Sequence, residues 1–446
     1  MAERKRAKFN VNKAAAGGRM PQLGVFIFFF VYLCLYDYFI VLHTNIPELS
    51  GEVLTYHIVD YSFGFCTKLL PGAIIHLFFD SVTKQTVAVY ARVLYVISLA
   101  LVSFFISKVV SSIEEKGSRV AVLIICIFFV TGPSTINMFA TNVGVLDFYW
   151  FLFALLFLIF AENKYLKYLV PLLFAAEILV HFGSIICYVI FMGMVMLFKC
   201  SAETDKKQKR ILFTLLVVSV ALTLGLFVYF MIFEQSNVTI KSMQEFNDEL
   251  FARAGENADA IHYKYYDFAF FRDEAVKYPE FYEQIDMRSL AGYSLSLPLP
   301  EKLNDAVNMM LSQVVYTLHS ELIAESHRGL RLIVYVYGLL LPVVAFVYSI
   351  YIKLIKEEKD KLTKLCFILP LIQFPFCSIV GLLNSVDINR WIGESFIIFM
   401  GYFLYVVYKR SDVSELVKTS GKKIDWRLLL SYYFVYANVT LNFFTS

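Results

Sequence analysis

The sequence predicts an all-α, polytopic membrane protein of about eleven transmembrane helices, within a range of ten to twelve, and three observations predict it. The 446 residues are 59% hydrophobic and only 17% charged, with a mean hydropathy of +0.63, which is too apolar for a soluble chain of this length. The apolar residues gather into eleven windows near the length of about 20 that crosses a bilayer. Basic residues, finally, fall in alternate connections between those windows, as they do when only one side of a membrane retains them.

The windows lie at 21–43, 86–109, 121–140, 147–161, 168–185, 186–199, 211–233, 331–354, 365–384, 391–408 and 428–444. The fourth and sixth are short for a full crossing and read equally as re-entrant segments, which sets the range on the count. With a cytoplasmic N-terminus, the stretches 1–20, 111–120, 161–168, 199–210, 353–364 and 409–427 face the cytoplasm and hold 26 of the 40 Lys and Arg residues. The short outer connections are nearly bare of them: 44–85 holds Lys68 and Lys84, 140–147 none, and 385–390 only Arg390.

Four parts follow from this topology. Residues 1–20, beginning MAERKRAKF, form a basic cytoplasmic flank and not a cleaved signal peptide, because they have no apolar core and precede a full-length window. Residues 21–233 form a transmembrane core whose outer loop, 44–85, carries Asp60. Residues 234–330 form an outer helical cap rich in Tyr, Phe and acids, and 331–446 form the C-terminal transmembrane helices. In the first outer loop, GFCTKLLPGAIIHLFF is interrupted by Pro71 and Gly72. A crossing there would invert the charge asymmetry of every later loop, so 68–82 is expected to lie along the surface as a helix.

Several chemistries are excluded. The seven cysteines form no C-x-x-C pair and suggest neither disulfide nor zinc. No phosphate-binding or dinucleotide glycine loop is present, and the net charge of +3 reflects the cytoplasmic excess, not a nucleic-acid partner. Asn237 stands in N-V-T, a pattern common by chance.

Sorted by side, the informative polar residues are on the outer half. His57, Asp60 and Lys68 follow the first window, and Asp147 opens the fourth in TNVGVLDFYW. Glu177 and His181, four apart in AAEILVHFGS, share one face of an unbroken helix. Asp387, Arg390 and Glu394, in SVDINRWIGES, form a stripe if that helix begins early. Ionisable side chains inside a span cost about 2.5–3.5 kcal/mol at its centre and face cavities or partners. Their gathering at one depth points to a polar cavity open to the outside. The plain alternatives are that such charges snorkel into headgroups and that His181 only packs helices.

This order of features, a first span, an outer aspartate, a surface helix, a second outer acid, about eleven spans and one large outer loop, resembles the GT-C superfamily of membrane glycosyltransferases. The resemblance covers the architecture of residues 20–200. It implies transfer of a sugar from a polyprenyl-phosphate carrier to a glycan or other acceptor on the non-cytoplasmic face. It also implies Asp60 as catalytic base, Asp147 as the second acid, and Lys68 or Arg390 as the cation holding the carrier phosphate. His57, Glu177, His181, Asp387 and Glu394 would then line the cavity. The adjacent acidic pair of some branches is missing, since Tyr61 follows Asp60. The chain is also similar to bacterial multi-pass proteins with a DYxxGF…K/R…LxG opening and a late DxxRW, here Asp60 to Gly72 and Asp387 to Trp391; that likeness assigns no activity.

The residue types suit sugar transfer. A carboxylate accepts the proton of an attacking hydroxyl, and Arg or Lys stabilises a departing phosphate. No cofactor is required; a divalent metal between Asp60 and Asp147 is an open alternative. The partners are the lipid-linked sugar, its acceptor and membrane lipids, and the expected location is the bacterial plasma membrane. Three other readings stay open: a surface-polysaccharide polymerase dependent on outer arginines, a secondary transporter or lipid-linked sugar flippase using Glu177, His181 and Arg390, and a noncatalytic membrane partner of a glycan assembly complex.

Overall fold

A computed structural model describes residues 19–40, 51–79, 81–132, 135, 144–233, 239, 243–254, 328–384, 388–422 and 424–445. In chain order these form α1 (Arg19–Ile40), α2 (Gly51–Ile58), α3 (Leu70–Ile75), α4 (Lys84–Ser111), α5 (Lys116–Val130), α6 (Leu146–Glu162), α7 (Val170–Val180), α8 (Tyr188–Ala202), α9 (Lys206–Phe233), α10 (Met243–Ala254), α11 (Arg328–Glu357), α12 (Lys361–Asn384), α13 (Ile388–Lys409), α14 (Ser411–Gly421) and α15 (Trp426–Thr445). Short 3-10 turns lie at Tyr61–Phe63, Leu166–Leu169 and Phe182–Ile185, and no strand occurs among the described residues. The fold is therefore all-helical. Among the described residues, five helices, Lys84–Ser111, Phe182–Ala202, Lys206–Phe230, Lys361–Val380 and Trp391–Lys409, are long and apolar enough to cross a membrane, and Gln22–Leu35 is a shorter apolar helix. A helix occupies at least part of each of the eleven apolar windows.

Two expectations are refined. The surface helix expected over 68–82 is only Leu70–Ile75, followed by turns, and Pro71 in its first turn supplies a helix start. The window 168–185 is not one helix, because α7 stops at Val180 and His181 takes extended φ and ψ of −171° and 135°. Of the expected cap, α10 and Thr239 are described; the remainder of 234–330 lies outside the described residues.

Packing follows residue type. α13 is apolar apart from Glu394 and Ser395 between Trp391 and Val407 and is buried without a break over that length, as a helix with almost no polar face must be. α4, α8 and α12 surround it, while α1 lies against α4 and α9 against α7 and α8. α9 is the contrary case: it leaves Phe213, Val217, Leu224, Val228 and Ile232 exposed. A row of that size is intolerable in water and natural against lipid. Polar side chains start the helices: Thr83 accepts from Thr86 N at 3.1 Å, Glu115 accepts from Ser118 N, and Asp360 accepts from Thr363 N at 2.8 Å.

α12 carries two internal prolines, Pro370 and Pro375. Each lacks the N–H that would bond the carbonyl four residues earlier, which frees Cys366 O and Leu371 O. Both find tyrosines on neighbouring helices. Tyr402 of α13 donates to Cys366 O at 3.0 Å, and Tyr348 of α11 donates to Leu371 O at 2.8 Å. A third tyrosine, Tyr436 of α15, donates at 3.0 Å to Phe128 O in the last turn of α5, where helix carbonyls have no internal donor. Tyr402→Phe keeps the ring and orphans Cys366 O, so it should cost about 1 kcal/mol. The check is thermal unfolding in detergent, read by a thiol-reactive dye on the six buried free cysteines; an unfolding temperature equal to that of the wild type would refute this role.

Candidate functional site

The segment from α2 to α3 folds into a tight corner. Asp60 caps the turn Tyr61–Phe63, its Oδ1 accepting from Ser62 N at 2.8 Å and from the Ser62 hydroxyl. Gly64 follows at φ 127°, Lys68 takes a left-handed φ of 70°, and a Cβ on Gly72 would stand 1.7 Å from Val59 O. Only glycine allows α3 to approach the end of α2 so closely. The DYxxGF…K…LxG pattern is thus the covalent outline of this corner.

Helix α10 meets the corner at Asp60. Arg253 of α10 places Nη1 3.3 Å from Asp60 Oδ1, donates through Nη2 to Ser62 Oγ at 2.7 Å, and lies 4.5 Å from the Phe63 ring centre. Its Nε donates to Glu249 Oε1 at 2.7 Å. On the other side, His76 donates to Ile58 O at 3.1 Å and stands 3.8 Å from Asp60 Oδ2. Thr239 clamps the same turn, donating from N to Phe63 O and from Oγ1 to Ser62 O. Partial burial pushes the Asp60 carboxyl up, but the Ser62 hydrogen bonds, then Arg253 and His76, outweigh it and hold the group below the usual carboxylate range. Asp60 is a half-exposed carboxylate, ionised at neutral pH.

His57 joins the corner to the helical core. Its Nδ1 lies 2.6 Å from Val53 O and its Nε2 2.6 Å from Tyr149 Oη. A carbonyl only accepts, so Nδ1 carries the proton and Nε2 accepts from the tyrosine. Burial holds this imidazole neutral, with a pKa lowered to about 4, against the smaller opposing effect of the Val53 bond. Tyr149 in turn contacts Tyr90 through its hydroxyl. The corner is fastened a second time where Lys68 N donates to Leu179 O at 3.1 Å, at the break in α7.

Around that break lies a buried acidic set. Asp147 is in the first turn of α6, where the helix dipole favours an anion; Glu177 is on α7 and Glu394 on α13. All three are almost wholly buried. Glu177 and Glu394 act on each other electrostatically, and Tyr188 of α8 feels all three. Neither oxygen of Glu177 has a hydrogen-bond donor among the described residues. Such a group is expensive to bury. Among the described residues no group of three acids, histidines or cysteines is arranged to hold a metal ion.

The structure thus joins Asp147, Glu177 and Glu394 at one place and sets Asp60 and His57 in the adjoining corner. Glu177 and His181 do not share a helical face. Extended backbone turns the His181 ring to accept from Gly183 N at 3.0 Å and to stack on Phe182 at 4.5 Å, and its own N–H bonds Glu177 O, not the carboxylate. Lys68 is buried, Arg390 falls in the first turn of α13, and Asp387 lies outside the described residues. Sequence reasoning missed Arg253, His76, Tyr149 and Tyr188. Only the helical spacing of EFNDELFARA pointed toward Arg253, and nothing in the sequence placed it on Asp60.

Compared with known proteins, the chain matches no family model, no curated protein and no solved structure. Its chemistry must be argued from the site alone.

The buried His57 has a direct consequence for pH. The unfolded chain takes up a proton near 6.5 and the folded one only near 4, so stability is lost as pH falls through that window, with a slope of up to ~1.4 kcal/mol per pH unit from this group. His57→Gln should flatten the wild-type decline between pH 6.5 and 4, measured as dye-detected unfolding temperature against pH; an unchanged profile would contradict the buried neutral ring.

Proposed function

We propose that the chain crosses the membrane eleven times with its N-terminus in the cytoplasm. On this reading the corner and the acidic set face the outside of a bacterial plasma membrane, and the protein transfers a sugar there from a polyprenyl-phosphate carrier in cell-surface glycan synthesis. The observation that carries this reading is the Asp60 corner: an ionised carboxylate, partly open to solvent, with a guanidinium 3.3 Å away and an imidazole 3.8 Å away. Those are the groups that transfer from a phosphate-linked donor uses.

The acceptor O–H attacks the anomeric carbon, its proton passes to Asp60, and the bond from that carbon to the phosphate oxygen breaks. The electron pair leaves with the carrier phosphate, whose growing charge the positive charge of Arg253 stabilises. With one carboxylate acting, the displacement inverts the anomeric centre. Lys68 and Arg390 remain further phosphate-binding candidates, and Asp147, Glu177 and Glu394 would orient the acceptor.

Arg253 also supports a second reading, a surface-polysaccharide polymerase, because that reading depends on outer-loop arginine more than on a carboxylate base. The two separate in liposomes supplied with polyprenyl-phosphate-linked sugars. Asp60→Asn still accepts the Ser62 hydrogen bonds but loses the charge, and it should lower transfer by about 10²–10⁴-fold with the unfolding temperature nearly unchanged. Should Asp60→Asn transfer as well as wild type while Arg253→Gln does not, the base assignment falls and the polymerase reading stands.

A further inference from the structure

Leu77, in the turns that follow α3, is the most exposed large apolar side chain among the described residues, at 79%; Phe78 follows at 70%, and Phe79 is exposed as well. A run of three exposed apolar side chains is unfavourable in water and marks contact with something apolar. The rest of the segment explains why they are left outside. Pro71, Gly72 and Ile75 are buried, Gly72 holds α3 against Val59 at the end of α2, and the His76 ring is fixed by its bond to Ile58 O. The inner side of α3 is thus already used, and the three residues after His76 form an apolar tip on the corner.

The tip also meets the condition that hydrocarbon sets on a backbone, that its N–H groups be satisfied internally. His76 N donates to Gly72 O at 3.0 Å, Leu77 N to Ile74 O at 3.2 Å, and Phe78 N and Phe79 N to Ile75 O at 3.0 and 3.1 Å. From Leu70 to Phe79 there is no Asp, Glu, Lys or Arg. Three ties place this segment beside helices of membrane length. Phe79 precedes Lys84, the first residue of α4, by five residues, at most about 18 Å of chain. Lys68 N bonds Leu179 O, shortly before the helix Phe182–Ala202. The Phe65 ring lies 5.8 Å from that of Tyr229 and 5.4 Å from that of Phe230, near the end of α9. All three helices are long and apolar enough to cross a bilayer.

We propose that Leu77, Phe78 and Phe79 insert into the bilayer as a non-spanning anchor for the corner, with lipid hydrocarbon as their partner. A segment resting on the surface would leave these side chains in water; insertion carries them about 5–10 Å into the boundary of headgroups and acyl chains. His76 adjoins Leu77 and stands 3.8 Å from Asp60 Oδ2. The anchor therefore holds Asp60 close to the depth of the lipid headgroups. The insertion requires the chain to lie in a bilayer and is independent of sugar transfer.

The test uses the full chain reconstituted in phosphatidylcholine vesicles, with Leu77→Trp or Phe78→Trp as the reporter and the emission of the native Trp150, Trp391 and Trp426 subtracted. Either reporter suffices if the other fails to fold. Val228→Trp, in the exposed row of α9, reports whether the long helices lie in lipid. Phosphatidylcholine brominated near the headgroup end of its acyl chains should quench the tip reporter, and more strongly than lipid brominated near the methyl end. Acrylamide in the water should quench it little. Quenching by acrylamide and not by brominated lipid would put the tip in water and overturn the proposal. Quenching by neither, with Val228→Trp quenched by lipid, would put the tip under protein, of this chain or a second copy, and would also overturn it. Should brominated lipid leave Val228→Trp untouched as well, the chain does not lie in the bilayer and the proposal falls with that reading.

Discussion

An apolar interior offers no water to a backbone carbonyl, and most of this architecture depends on how its freed carbonyls are satisfied. Hydrocarbon admits helices because they bond internally, yet this chain bends and breaks several of them. Three of the described irregularities, two prolines and one helix break, are met from a neighbour. Tyr402 and Tyr348 supply the donors that Pro370 and Pro375 remove. At the break after α7, Lys68 N donates to Leu179 O and Cys377 Sγ donates at 2.7 Å to Ile186 O. The prolines and the break are therefore also the points at which helices are tied to one another, and a change in one element is felt in the next.

The break in α7 has a second effect. Ending the helix at Val180 turns His181 away and leaves Glu177 inside, facing Glu394 and near Tyr188. The other buried glutamate, Glu162, has the opposite surroundings, with two lysines and a tyrosine hydroxyl on its oxygens. The former lies among apolar and acidic groups with no hydrogen-bond donor among the described residues; the latter holds helix ends together. Charge is thus divided along the helix axes, acid at one end and excess base at the other.

The corner from Asp60 to Gly72 shows how structural and chemical roles share residues. Asp60 is first a cap, and its ionised state owes as much to Ser62 as to Arg253. Gly72 is required by the 1.7 Å that a Cβ would leave to Val59 O. The same compactness presents the second Asp60 oxygen toward His76 and the first toward the cap helix. A corner built only to turn the chain would not need a guanidinium brought 193 residues along the sequence.

What the sequence determined by itself is the class of the protein and the division of its length. Runs of apolar residues near bilayer length, with Lys and Arg in alternate connections, sufficed to locate the helices and to sort Asp60, Asp147, Glu177 and Glu394 toward one end, because hydrophobicity and helical rise are properties of short segments. Only the tertiary structure decided which of those residues meet. The end of α7 at His181 separates two residues that an unbroken helix would have aligned. Arg253 reaches Asp60 from a distant helix, and Tyr188 stands among three acids drawn from α6, α7 and α13. Each of these depends on where helices cross and on which carbonyls their breaks expose, and those contacts join segments that are far apart in the sequence.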